Sequence, residues 1–143
     1  MDSERGFRGP TVRVYTAPPA QTVLMVDDEP ALRRAAARIL ERRGFTVLVA
    51  ADGLEALELF HAHEDDIGLI VSDLAMPRMG GVELYRALRR EGKRVPFLLT
   101  SGYAAADLRQ ASVDASLPVV EKPWSVEELV RAVGELLRAG TVH

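Results

Sequence analysis

Five short, uniformly apolar runs recur along this chain, and longer amphipathic segments separate them. No other feature constrains the fold as tightly. The runs are TVLMV (22–26), FTVLVA (45–50), IGLIVS (67–72), VPFLLT (95–100) and PVVE (118–121). They are short for helices and lack the apolar/polar alternation of a strand with one wet face. That pattern predicts parallel strands covered on both sides. Between the runs the apolar spacing turns helical. Leu32, Ala35, Ala36, Ile39 and Leu40 fall on one stripe, and Val126, Leu129, Val130, Val133, Leu136 and Leu137 on another. Shorter amphipathic stretches cover 53–63, 80–91 and 103–112. Punctuation agrees. Pro30 suits a first helical turn, where its missing N–H costs nothing. Gly44 after Arg42 and Arg43 marks a helix end with favourable cations. Ser125 and Glu128 have capping-box spacing.

The order is a strand–helix unit repeated five times. Right-handed crossovers between parallel strands then predict an α/β protein, doubly wound, with an open five-stranded parallel sheet and helices on both faces. Five units are too few for the eight-fold barrel. Residues 1–21, including GPTVRVYTAPPAQ with a short strand over Thr11–Tyr15, fall outside the pattern and are expected to be an extension or linker. Residues 22–140 form the expected domain and 141–143 a tail. A length of 143 residues suits one core. The net charge of −3 gives no bulk field to recruit nucleic acid or anionic membrane. Without cysteine, disulfides and thiolate metal sites are excluded. No apolar run reaches membrane-spanning length, and MDSERGFRGP lacks a signal-peptide core, so the expectation is a cytoplasmic protein with no membrane insertion.

In open α/β sheets functional groups gather beyond the carboxyl ends of the strands. Here that edge receives Asp27, Asp28 and Glu29 after the first run, Asp73 after the third, Thr100-Ser101-Gly102 at the fourth and Lys122-Pro123 after the fifth. Carboxylates crowded together repel unless a cation joins them. Lys122 supplies one charge, and oxygen-only ligands favour Mg²⁺ or a similar hard ion for the rest. A carboxylate beside such an ion, an ammonium and a hydroxyl is equipped to accept a phosphoryl group, with Asp73 as nucleophile.

This set resembles the receiver (REC) domain of bacterial two-component response regulators. The segments that carry the resemblance are VLMVDDEP, VSDLAMPRMGG, VPFLLTSGY and VVEKPWS, spanning about residues 22–139. The resemblance implies the flavodoxin-like strand order 2-1-3-4-5 and a set of roles. Asp73 matches the phospho-acceptor, Asp28 the direct Mg²⁺ ligand and Asp27 its acidic neighbour acting through water, with the Ala75 carbonyl completing the metal set. Lys122 matches the phosphoryl-contacting lysine, joined to Pro123 by a cis bond, and Ser101 the switch hydroxyl, with Thr100 pointing elsewhere. The implied donor is a sensor histidine kinase or histidine phosphotransfer protein. The implied output is protein contact through the face built by the fourth helix, fifth strand and fifth helix, including contact with a second copy. Val119 stands where an aromatic residue commonly couples to the switch. Tyr103 is expected near the site mouth, where it would affect access of water. TVLMVDDEP…TSGYA…EKPW is similar to receivers fused to hybrid histidine kinases, and GPTVRVY with the Pro-rich break after it resembles the last strand of a histidine-kinase ATP-binding domain leading into a linker.

Several of these residues also have simpler structural roles open to them. Asp28 or Glu29 could cap the helix that opens at Pro30, and Asp73 could form an Asx-turn. His61 and His63 lie two apart on a helix and so do not share a face; both are expected in solvent. The arginines of RRAAARILERR and RALRREGKR lie opposite apolar stripes and are expected to be solvated, with no direct nucleic-acid role. Trp124 is expected to anchor the last helix by packing. An aspartyl-phosphate hydrolase would want a second aspartate two residues after the nucleophile, where this chain has Ala75; the expectation is therefore a phospho-acceptor and not an enzyme. A flavin binder would want a Gly/Ser/Thr-rich phosphate loop where this chain has Asp-Asp-Glu-Pro.

Overall fold

The computed structural model describes residues 21–102 and 116–141. The expected extension up to residue 20, the expected helix over 103–112, Tyr103 and the last two residues of the tail lie outside the described residues. In chain order the elements are β1 (Thr22–Val26), α1 (Pro30–Arg42), β2 (Thr46–Ala50), α2 (Gly53–Ala62), β3 (Ile67–Asp73), α3 (Gly81–Arg90), β4 (Phe97–Ser101), β5 (Val119–Glu121) and a C-terminal helix (Val126–Thr141). All pairings are parallel and the sheet order is β2-β1-β3-β4-β5.

Successive strand residues face opposite sides, and in the central strands both sides are dry. Leu24, Val26, Ile70 and Leu99 pack with Phe60 of α2 and with Leu84 and Leu88 of α3. Val23, Met25, Leu69, Val71 and Leu98 pack with Ala36 and Leu40 of α1 and with Leu129, Val133 and Leu137 of the C-terminal helix. Each such buried leucine contributes roughly 1.5–3 kcal/mol. This two-sided burial is why β1, β3 and β4 carry no polar alternation.

Burial on both faces does not extend to β2, whose Thr46 and Val49 are exposed. As an edge strand it has β1 as its one neighbour in the sheet; Val47, Leu48 and Ala50 still pack into the two clusters, while Val49 is left in water. Ala35 also departs from its expected stripe and is exposed; it sits about 100° round the helix from Ala36. Val126, at the start of the C-terminal helix, is 36% exposed.

The helix ends follow local chemistry. Pro30 occupies the first turn of α1. Ser125 Oγ accepts from Glu128 N (3.1 Å) while Glu128 Oε1 accepts from Ser125 N (2.8 Å), closing the capping box. Trp124 packs against the cluster under the C-terminal helix. After β1 the chain crosses to the α1 side of the sheet, and after β3 it crosses to the α3 side. The two connections diverge and leave a crevice at the carboxyl ends of β1 and β3, the place where open α/β sheets bind ligands.

Candidate functional site

Four strands deliver side chains to that crevice. Asp27 follows β1 and is 1% exposed, Asp28 beside it is exposed, and Asp73 closes β3 half-buried. One ligand oxygen from each of these three aspartates lies within 4.8 Å of the others. From β5, Lys122 reaches across: its Nζ is 3.2 Å from Asp73 Oδ1 and 3.3 Å from Asp27 Oδ2. The Lys122–Pro123 peptide bond is cis, and Lys122 N donates to the Ser101 carbonyl at 2.7 Å. Ser101, at the end of β4, is fully buried. Thr100 is buried too and is the register partner of Asp73. Its Oγ1 has no hydrogen-bond partner among the described residues.

The backbone around the crevice is held closely. Asp27 Oδ1 accepts from Glu29 N at 2.9 Å, and Arg33 Nη1 donates to the Asp27 carbonyl at 2.7 Å. Glu29, at the N-cap position of α1, makes no side-chain cap, so it does not have the simple capping role. Leu74 N donates both to Asp73 Oδ1 (2.9 Å) and to the Thr100 carbonyl (3.0 Å), tying the acidic strand end to β4. Gly81 starts α3 directly behind. A Cβ there would stand 2.3 Å from the Asp73 carbonyl and 2.8 Å from Leu99, so only glycine lets the helix approach. Ala75 lies exposed in the loop two residues past Asp73.

Electrostatics at the crevice are unbalanced. Among the described residues three carboxylates meet one ammonium, and Arg33 is turned onto a carbonyl. Burial pushes the Asp73 carboxyl above its ordinary value; Lys122 opposes the rise and Asp27 adds to it. For Lys122, burial works to lower the pKa, but Asp27 and Asp73 together outweigh it and raise it. The ammonium is therefore firmly charged, while Asp73 is held at a cost that a further cation would relieve. Closely grouped carboxylate oxygens without nitrogen or sulfur donors fit a hard divalent ion of the Mg²⁺ type.

A second acidic site on the same edge was not anticipated. Asp52, just after β2, is 6% exposed. Its Oδ1 accepts from Glu55 N (2.9 Å), capping α2, and its Oδ2 receives Arg78 Nε (2.8 Å) and Nη2 (2.7 Å). Glu55 Oε1 returns to Ala51 N at 2.6 Å. The signal was available, since Asp52 and Glu55 share the spacing of Ser125 and Glu128. Its pairing with Arg78, 26 positions away, was not readable. His61 is exposed and bonds Glu91 Oε1 at 2.7 Å, away from the crevice.

Comparison with known proteins agrees with this architecture. The family model described as "Response regulator receiver domain" matches residues 23–134. The chain is 41% identical over 117 residues to the sensor kinase CckA of Brucella abortus, covering 81% of this chain and 12% of that protein. It is 38% identical to the response regulator MprA of Mycobacterium ulcerans, covering 81% of this chain and 50% of the relative. The chain thus spans about half or less of the curated relatives it matches. Among solved structures it is similar to the receiver domain of the hybrid histidine kinase CckA (35% identity, TM-score 0.66, 81% of this chain and 98% of that one). It is likewise similar to chemotaxis protein CheY4 of Vibrio cholerae (30% identity, TM-score 0.72, 81% and 98%).

Proposed function

Because the chain belongs to the response regulator receiver domain family, which serves phosphorylation-dependent phosphorelay signalling, we propose that Asp73 is its phospho-acceptor. The observation that carries this reading is the Asp73 carboxylate: half-buried, 3.2 Å from Lys122, and within 4.8 Å of two further carboxylates. A carboxylate that is costly to keep ionised in place is one whose charge a phosphoryl group and its counter-cation can use.

In the proposed step an Asp73 oxygen attacks the phosphorus of a phosphohistidine in line with the departing imidazole nitrogen. The O–P bond forms as the N–P bond breaks, and the nitrogen keeps the electron pair and takes up a proton. The product is an acyl phosphate. Lys122 stands where its ammonium can offset charge on a transferred equatorial oxygen. Receiver domains generally bind Mg²⁺ at an acidic cluster, and this chain has one. Asp28, Asp73 and the Ala75 carbonyl would hold the ion, with Asp27 acting through water. When bound, it would supply charge neutralisation for the phosphoryl oxygens. Ser101 is assigned the switch hydroxyl, drawn toward phosphate once it arrives. The donor is a histidine kinase or a histidine phosphotransfer protein, and residues 22–140 are the receiver unit. Turnover as a phosphatase is not assigned, because Ala75 offers no acid or base two residues from Asp73.

Incubation with acetyl phosphate and Mg²⁺, followed by intact-mass measurement, tests the reading. One phosphate should be gained stoichiometrically by the native chain and none by Asp73→Asn; equal labelling of the two would refute it.

A further inference from the structure

The loop that leaves Asp73 is fastened at both ends. At its base, Gly81 N donates to the Leu74 carbonyl at 2.9 Å. At its far end, Gly53 N donates to the Met79 carbonyl at 2.9 Å. The contact there is close: a Cβ on Gly53 would stand 2.6 Å from Met79 Cγ. Between these fastenings, Met79 N donates to the Pro77 carbonyl at 2.7 Å around Arg78, whose φ is 66°. A γ-turn with positive φ at a non-glycine residue is strained and persists only where the surroundings hold it. What holds it is visible. Arg78 Nε and Nη2 both meet Asp52 Oδ2, and the other oxygen of that buried carboxylate caps α2. Ala75 and Met76 enter no main-chain hydrogen bond among the described residues. The stretch carrying the Ala75 carbonyl is thus suspended between fastenings.

We propose that Arg78 is a positioning residue for the phospho-acceptor site: locked on Asp52, its guanidinium holds the Leu74–Gly80 loop against the start of α2 and so sets where the Ala75 carbonyl stands relative to Asp73. This rests on the reading of Ala75 as a metal ligand given above. The alternative role for position 78 is merely to tolerate the left-handed turn, and a glycine would do that better. The two roles therefore predict opposite outcomes for one substitution.

The test is calorimetric titration of the full chain with Mg²⁺, together with acetyl phosphate labelling rates across Mg²⁺ concentration. Arg78→Gly is expected to weaken Mg²⁺ affinity about tenfold, the scale of losing a group that orients a ligand. Saturating Mg²⁺ should restore its labelling rate. Asp52→Asn, which keeps a capping acceptor, should weaken affinity similarly, and the double variant should be no weaker than either single one. Arg78→Lys should recover part of the loss. Native affinity in Arg78→Gly, or strictly additive effects in the double variant, would overturn the proposal. Should Arg78→Gly fail to fold, Asp52→Asn and Arg78→Lys decide the same question. A native chain that labels at Asp73 while Arg78→Gly matches it in Mg²⁺ affinity sinks the latch alone. Equal labelling of the native chain and Asp73→Asn sinks the functional reading and the latch with it.

Discussion

Two aspartates at the same edge of one sheet have opposite fates. Asp52, after β2, is closed on itself. Its oxygens are occupied by Glu55 N and Arg78. The Glu55 N–H bond leads in holding its carboxyl below the ordinary value, with Arg78 adding to this against the cost of burial. Asp73, after β3, is held differently, by Leu74 N and an ammonium that is not its own alone. It shares Lys122 with Asp27, and burial raises its carboxyl above the ordinary value. Burial alone therefore does not distinguish a structural carboxylate from a reactive one. The difference lies in whether the chain supplies enough donors to saturate it. Asp52 is a finished joint. Asp73, held among the described residues by Leu74 N and a shared Lys122, is where the proposed cation and phosphoryl group would act.

The largest expected effect separates the two outright. Asp73→Asn should lose phosphoryl labelling altogether, whereas Asp52→Asn should still be labelled, more slowly at low Mg²⁺. Intact-mass time courses check this, and a fully inert Asp52→Asn at saturating Mg²⁺ would break the contrast. Next is the response to metal. With Mg²⁺ at about a hundred times its Kd, the native chain should gain about 2.7 kcal/mol in urea denaturation. Asp28→Asn should lose most of that gain, and a gain unaffected by it would place the ion elsewhere.

Removing the shared cation comes third. Lys122→Met leaves the carboxylates uncompensated and should cost about 1–2 kcal/mol at neutral pH, a figure reduced for the partial exposure of the lysine. The pH dependence has a definite sign at each group. Asp73 has a raised folded pKa, so its ionisation disfavours folding. That penalty is relieved as pH falls through the folded value toward the ordinary 3.8. Asp52 has a lowered folded pKa; its contribution is present above 3.8 and is lost as pH falls through the lower folded value. The contribution of Lys122 is present below 10.5 and fades as pH rises through its raised folded value. Denaturation midpoints measured between pH 4 and 7 should thus show the deficit of Lys122→Met shrinking on acidification, and a constant deficit would contradict the assignment.

The smallest effect concerns Thr100, paired in register with Asp73 yet carrying a buried hydroxyl without a partner among the described residues. Thr100→Val should be neutral or stabilise by up to about 1 kcal/mol. A loss greater than that in urea denaturation would show that the hydroxyl is satisfied in solution.

Much of the fold was legible because its causes are local. Uniform apolar runs, stripes at helical spacing, Pro30 and the Ser125–Glu128 pair each state their structure within a few residues. The candidate cluster was legible as a set of strand ends. The partial exposure of β2 was not, since a run such as TVLVA reads the same at the centre of a sheet and at its edge. The Asp52–Arg78 pair was missed for a related reason, because ion pairing between residues far apart in the chain leaves no periodicity to read.

The sequence by itself determined the alternation of strands and helices, the apolar faces and which acidic and basic residues end the strands, because these follow from side-chain type and spacing along the chain. Tertiary structure alone decided that Lys122 would stand between Asp27 and Asp73, that Gly81 would press on the Asp73 carbonyl, and that Asp52 would meet Arg78 while Asp73 met a shared lysine. Whether a buried carboxylate is quiet or reactive depends on how many donors reach it through space, and that number exists only once the distant strand ends have been brought to one edge.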